Sequence, residues 1–159
     1  MLHGDFDITR RDPVEELVLA NGLLLTPIAG DSAGGTYFLC GGQGEPERPV
    51  LYAGSEGSAV LMAASLAEAV ELIVHFPYWH DLPFGFDADE LEAEYRDDRE
   101  DFDAVRAELI AVLGLSPLTL DDALRRLRAA VARYEPAFVP TCVTHDGGPY
   151  QHAFHHRQF

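Results

Sequence analysis

A chain of 159 residues with 27 acidic and 11 basic side chains carries a formal net charge of −16, which argues against a nucleic-acid binder and against attachment to an anionic membrane surface. Its 47% hydrophobic content is enough for one domain with a packed core and too much for a disordered chain. Two cysteines are too few for a disulfide framework, no apolar run matches a membrane span, and the first residues carry no secretory signal, so the expected location is the cytoplasm.

Read in chain order, Asp12 as a cap, Pro13 in the first turn, Glu15, and Asn21-Gly22 as a stop predict a short helix. Leu23 to Ile28 reads as a strand, at an edge because Pro27 cannot donate to a ladder. A glycine-rich connection leads into Thr36-Tyr37-Phe38-Leu39-Cys40, whose aromatic and β-favouring residues predict a strand. Two more strands follow, Pro49 to Ala53 and Ala59 to Met62. The short loops between these strands favour an antiparallel meander, because a parallel sheet needs crossover helices.

Ser65 with Glu68 forms a capping box, and Leu66, Ala69, Val70, Ile73 and Phe76 make an apolar helical stripe that Pro77 stops. Trp79 follows in the exit loop, either as a lid on the core or as a recognition aromatic, the lid being favoured because Pro77 turns the chain back across a helix end. Asp87 with Glu90 caps a second helix whose spacing runs to Gly114. After the Ser116-Pro117 break, Thr119 and Asp122 cap a third, with Leu120, Leu124, Leu127, Val131 and Tyr134 on one face. The short break predicts an antiparallel helical hairpin, with Arg125, Arg126, Arg128 and Arg133 facing Glu100, Asp101 and Asp103. The expected fold is α+β in a single domain: an antiparallel meander of three to five strands flanked by helices over 1–85, an appended hairpin over 86–136, and a His-rich tail over 137–159 that includes a strand between Phe138 and Thr144.

Four groups of residues could carry chemistry. Gly30-Asp31-Ser32-Ala33-Gly34 matches the G-x-S-x-G wording of a nucleophile elbow, but an elbow leads from a strand into a helix, and here a strand follows. A tight turn is the better reading, with a small serine hydrolase through Ser32 as a rival. Cys40, with His75, His80 and Asp81 downstream, could be drawn as a catalytic set, yet a cysteine ending an apolar strand behaves as a small buried hydrophobe. Cys142-x-x-His145 and His152-x-x-His155, with Asp146 and His156 nearby, have zinc-like spacing, which leaves a zinc-binding protein as a second rival. The acids from Asp87 to Asp103 lack the Glu-x-x-His pairing of di-iron bundles. They form either a solvated helix face or a partner surface that steers a basic protein. No catalytic residue, cofactor or metal ligand is assigned.

Ala29-Gly30-Asp31-Ser32-Ala33-Gly34-Gly35-Thr36-Tyr37-Phe38-Leu39, then Arg48-Pro49-Val50-Leu51-Tyr52, then Ser65-Leu66-Ala67-Glu68-Ala69, resemble the SUKH superfamily. The resemblance implies an antiparallel sheet flanked by helices, no catalytic constellation, and a role as a protein-interaction module, in many members that of an immunity protein neutralising a bacterial toxin, often a nuclease. The expected partner is therefore a protein, a basic toxin or nuclease, rather than nucleic acid or membrane, with self-association open. Candidate partner-binding residues are Asp31, Tyr52 and Glu56 at the turns of the sheet and Glu90, Glu94, Asp97 and Asp98 on the acidic helix.

Overall fold

The computed structural model describes residues 3–143 and 147–154. In chain order the elements are β1 (Leu17–Leu19), β2 (Leu25–Gly30), β3 (Thr36–Cys40), β4 (Val50–Ala53), β5 (Ser58–Ala63), α1 (Leu66–His75), α2 (Ala88–Asp98), α3 (Phe102–Leu113), α4 (Leu120–Ala132), β6 (Pro140–Cys142) and β7 (Gln151–His152). The fold is α+β, as the sequence predicts. The five-stranded sheet has the order β2-β3-β4-β5-β7, antiparallel from β2 to β5, with β7 added in parallel to Ser58 and Ala59. Pro27 does lie on the edge strand, where the register slips between Pro27 and Ala29.

Period-two alternation buries both faces of this sheet. Tyr37, Val50, Val60 and Met62 pack with Ala69, Leu72 and Ile73 of α1 and with Trp79. Their neighbours Phe38, Leu51 and Leu61 pack on the other side with Leu19, Tyr134 and Phe138. Helix α4 runs along β5 and serves both layers, since Ala123 and Leu127 join the first cluster and Ala130 joins the second. The capping signals of α1, α2 and α4 act as expected: Ser65 accepts from the Glu68 N–H, Asp87 from those of Asp89 and Glu90, and Thr119 from that of Asp122.

Three expectations are corrected. Residues 12–22 form no helix; Leu17–Leu19 is instead a strand paired with Pro140–Cys142, inside the expected tail strand. The capping grammar of that stretch is local, and a distant ladder partner overrides it. The predicted long helix from Asp87 is two helices, because Arg99 turns extended at φ −141° and ψ 104°. Glu94, Asp97 and Asp98 crowd the C-terminal half of α2, where the macrodipole disfavours carboxylates, whereas Asp101 stands at the N-terminus of α3, where it is favoured.

The third correction concerns the hairpin. The antiparallel pair is α2 with α3: Arg106 meets Glu92 at 2.6 Å and Arg96 meets Asp103 at 3.0 Å. Three of the four arginines expected to face Glu100, Asp101 and Asp103 go elsewhere, Arg125 to Asp122, Arg126 to Glu71 and Arg133 to Glu47. Asp101 pairs with Arg99.

The N-terminal segment lies against α1. Gly4 has φ +68°, and a Cβ there would stand 2.9 Å from both Ile73 and Pro77, so only glycine lets the chain approach this closely. Among the described residues, no helix is long and apolar enough to cross a membrane.

Candidate protein-binding face

The turn between β2 and β3 is built around the Asp31 side chain. Its Oδ1 accepts the backbone N–H groups of Ala33 (3.0 Å) and Gly35 (2.7 Å), and its Oδ2 accepts the Tyr52 hydroxyl at 2.6 Å. Arg10 donates to the Asp31 carbonyl at 2.9 Å. Asp31 is only 6% exposed, so two of the candidate residues meet, but they bond each other and present little to a partner. Burial, with the Asp31 carboxylate as hydrogen-bond acceptor and nearby charge, pushes the Tyr52 phenol well above its usual range.

Glu56 is exposed in the turn between β4 and β5. That turn abuts the first one, because the Ser55 hydroxyl donates to the Ala33 carbonyl at 2.8 Å. Asp31 and Tyr52 thus fix the platform from which Glu56 projects.

Ser32 lies in the same turn, between two strands as expected. Its hydroxyl donates to Asp5 Oδ2 at 2.6 Å. Cys40 sits at the end of β3, buried on the face opposite Tyr37, with its thiol pushed up to about 12 by burial. His80 touches the Tyr37 side: its Nε2 lies 3.4 Å from the Tyr37 hydroxyl and its ring packs on Trp79 and Tyr52. His75 bonds the Ser116 carbonyl instead. Cys40, His75 and His80 are therefore not brought together. Cys142 and His152 fall on β6 and β7, whereas His145, Asp146, His155 and His156 lie outside the described residues.

Burial holds the His80 imidazole down to about 4 from an ordinary 6.5, against the pull of Asp31 and Asp5 in the other direction. The unfolded chain accepts a proton that the folded chain refuses, so this contribution is intact above about pH 6.5. It is lost as pH falls toward 4, by about 3 kcal/mol at 1.36 kcal/mol per unit. Chemical denaturation across that window should show the loss, and His80→Gln should flatten it; an unflattened profile would assign the acid sensitivity to other groups.

On α2, Glu90, Glu94, Asp97 and Asp98 fall within one stripe at 100° per residue and are all exposed. None of them meets an arginine within the described residues. On the opposite side Glu92 is neutralised by Arg96 and Arg106, while Asp89 is exposed and meets no arginine among the described residues. Burial tends to raise the Glu92 carboxyl, but Arg106, the Tyr78 hydroxyl and Arg96 outweigh it and hold the carboxyl below its usual range. Leu91 and Tyr95 anchor the helix, the Tyr95 ring lying against Tyr78 and Phe102.

One feature was not anticipated from the sequence. A groove of about 300 Å³ opens between the N-terminal segment (Phe6, Ile8), α1 (Val70, Ile73, Val74) and α3 (Leu109, Leu113). Leu109 falls within the helical spacing that runs from Asp87 to Gly114, but such spacing does not tell which part of a helix remains uncovered. Compared with known families, with curated proteins and with solved structures, the chain matches none.

Proposed function

We propose that this chain is a non-enzymatic binding module for a basic protein, engaged through the acidic stripe of α2 with Glu56 as a further contact. The observation that carries the reading is the stripe itself: four exposed carboxylates on one helix face, without arginine partners among the described residues, whereas Glu92 on the other side is paired with Arg96 and Arg106. Such a face steers a cationic partner into contact and weakens with salt. It can also present charge where a nuclease expects phosphates. The SUKH resemblance supports a bacterial toxin as the class of partner and an immunity protein as the role, and the meander closed by α1 is the arrangement that resemblance implies. In this reading Asp31 and Tyr52 hold the turns in place rather than touch the partner.

Tagged protein should capture a basic partner from lysate of the source organism at low salt and release it at high salt. Replacing Glu90, Glu94, Asp97 and Asp98 together by Arg should reduce association with that partner at least about tenfold, mainly through the on-rate. Affinity unchanged by the replacement would remove α2 from the interface.

A further inference from the structure

Two phenyl rings stand exposed on the approach to α2, Phe84 at 42% and Phe86 at 59%. The Phe84 ring backs onto Phe154, with centroids 6.0 Å apart, whereas Phe86 belongs to neither core cluster. Phe86 directly precedes Asp87, the cap of α2, whose Oδ1 accepts the N–H groups of Asp89 at 2.8 Å and Glu90 at 3.2 Å. The cap thus sets the first helical turn, with Asp89 and Glu90 on it, immediately after the ring. Both carboxylates are exposed, and neither meets an arginine among the described residues.

A phenyl ring beside an ionised carboxylate is the setting in which this chain holds two of its own arginines. Arg106 Cζ lies 4.8 Å from the Phe102 ring centroid while the guanidinium bonds Glu92 at 2.6 Å and Asp103 at 3.0 Å. Arg133 Cζ lies 5.9 Å from the Phe138 ring centroid while the guanidinium bonds Glu47 at 2.7 Å. The physical reason is the shape of the group. A guanidinium keeps its donors in one plane for the carboxylate and offers its weakly hydrated face to the ring. The ammonium of lysine is compact and strongly hydrated, so it gains less from the same pair. Phe86 with Asp89 and Glu90 repeats the combination at the surface, and among the described residues no arginine lies over that ring.

We propose that Phe86, together with Asp89 and Glu90, receives an arginine side chain of the protein partner. The proposal rests on the reading of the chain as a binder of a basic protein and deepens it. The stripe of α2 steers any cationic surface, while this point at the start of the helix selects arginine over lysine. A second copy is a poor occupant, because each chain carries −16 charges and self-repulsion opposes the pairing.

The test uses the full chain and two labelled peptides of equal length, one alternating Arg with Gly and the other Lys with Gly. Fluorescence anisotropy at low and high salt reads their affinities. Both should bind in a salt-sensitive way, the Arg peptide more tightly. Bidentate pairing with carboxylates adds to that margin, so the decisive reading is how the margin changes in ring variants. Phe86→Leu keeps apolar bulk without the ring and should narrow the margin about two- to fivefold, with the Lys peptide unaffected. Phe86→Trp should preserve or widen it. Asp89→Asn with Glu90→Gln should weaken both peptides, and unchanged affinity there would overturn the proposal. A margin left intact by Phe86→Leu, or an equal loss for both peptides, would also overturn it and leave the acidic-face reading standing. Absence of salt-sensitive binding by either peptide would remove both readings. A dimer in sedimentation that Phe86→Leu dissolves would give the ring to a second copy and overturn the proposal.

Discussion

Asp31→Ala lowers the stability of the fold by about 3–5 kcal/mol, read as a fall in the denaturant midpoint at unchanged slope. The carboxylate is buried, and it accepts two backbone N–H groups and the Tyr52 hydroxyl. Hydrogen bonds to a charged acceptor contribute roughly 1.5–3 kcal/mol each, and their donors are left unsatisfied when it goes. Repacking cannot repair the loss, because the space is already full. A Cβ on Gly35 would collide with the Tyr52 hydroxyl and stand 2.7 Å from Asp31 Oδ2, so the turn closes directly on the pair. Tyr52→Phe in the Asp31→Ala background should cost less than the two changes summed, because removing both partners leaves no orphaned hydroxyl. A loss below about 1 kcal/mol for Asp31→Ala would mean that the carboxylate does not organise the turn.

Trp79→Ala carries the other large effect, about 3–5 kcal/mol by the usual range for deleting a buried aromatic. The indole is fully buried, lies against His80 with centroids 3.8 Å apart, and meets the Tyr52 and Phe154 rings edge-on. Its N–H closes no hydrogen bond of standard geometry, so the loss is chiefly one of packing. Trp79→Phe should therefore recover part of the stability. Because Trp79 is the only tryptophan, native emission should be that of a dry indole, and circular dichroism must follow the variant. Emission already red-shifted in the native state, with a near-neutral Trp79→Ala, would put the ring outside the core.

Where the signal was local, the sequence was legible. Ser65, Asp87 and Thr119 each bond the N–H that their spacing designates, and Thr36 to Cys40 is a strand because its aromatic and β-branched residues alternate between two buried faces. The failures involve partners far away in the chain. Asp12 and Pro13 look like a helix start, but Leu17 pairs with Cys142, and no window near Asp12 contains that strand. Ser116-Pro117 is announced by its proline, whereas the break at Arg99, where the backbone turns extended, has no nearby glycine or proline to announce it. The same holds for the candidate site. Glu90, Glu94, Asp97 and Asp98 could be read as one face from their spacing alone, whereas Asp31 and Tyr52 meet across 21 residues of chain and turn out to be bonded to each other.

Strand β5 closes the meander, and β7 pairs with it only at Ser58 and Ala59. From Val60 to Ala63 the outer margin of the sheet is shielded by α4 packing along it, and all four of those residues are buried. An uncovered row of backbone donors and acceptors beside Val60-Leu61-Met62 would template pairing with a neighbouring chain. Helix α4 thus protects colloidal behaviour as well as stability. Loosening it, for instance with Leu127→Asp, would release an aggregation-prone edge in a protein whose large net charge otherwise keeps its copies apart.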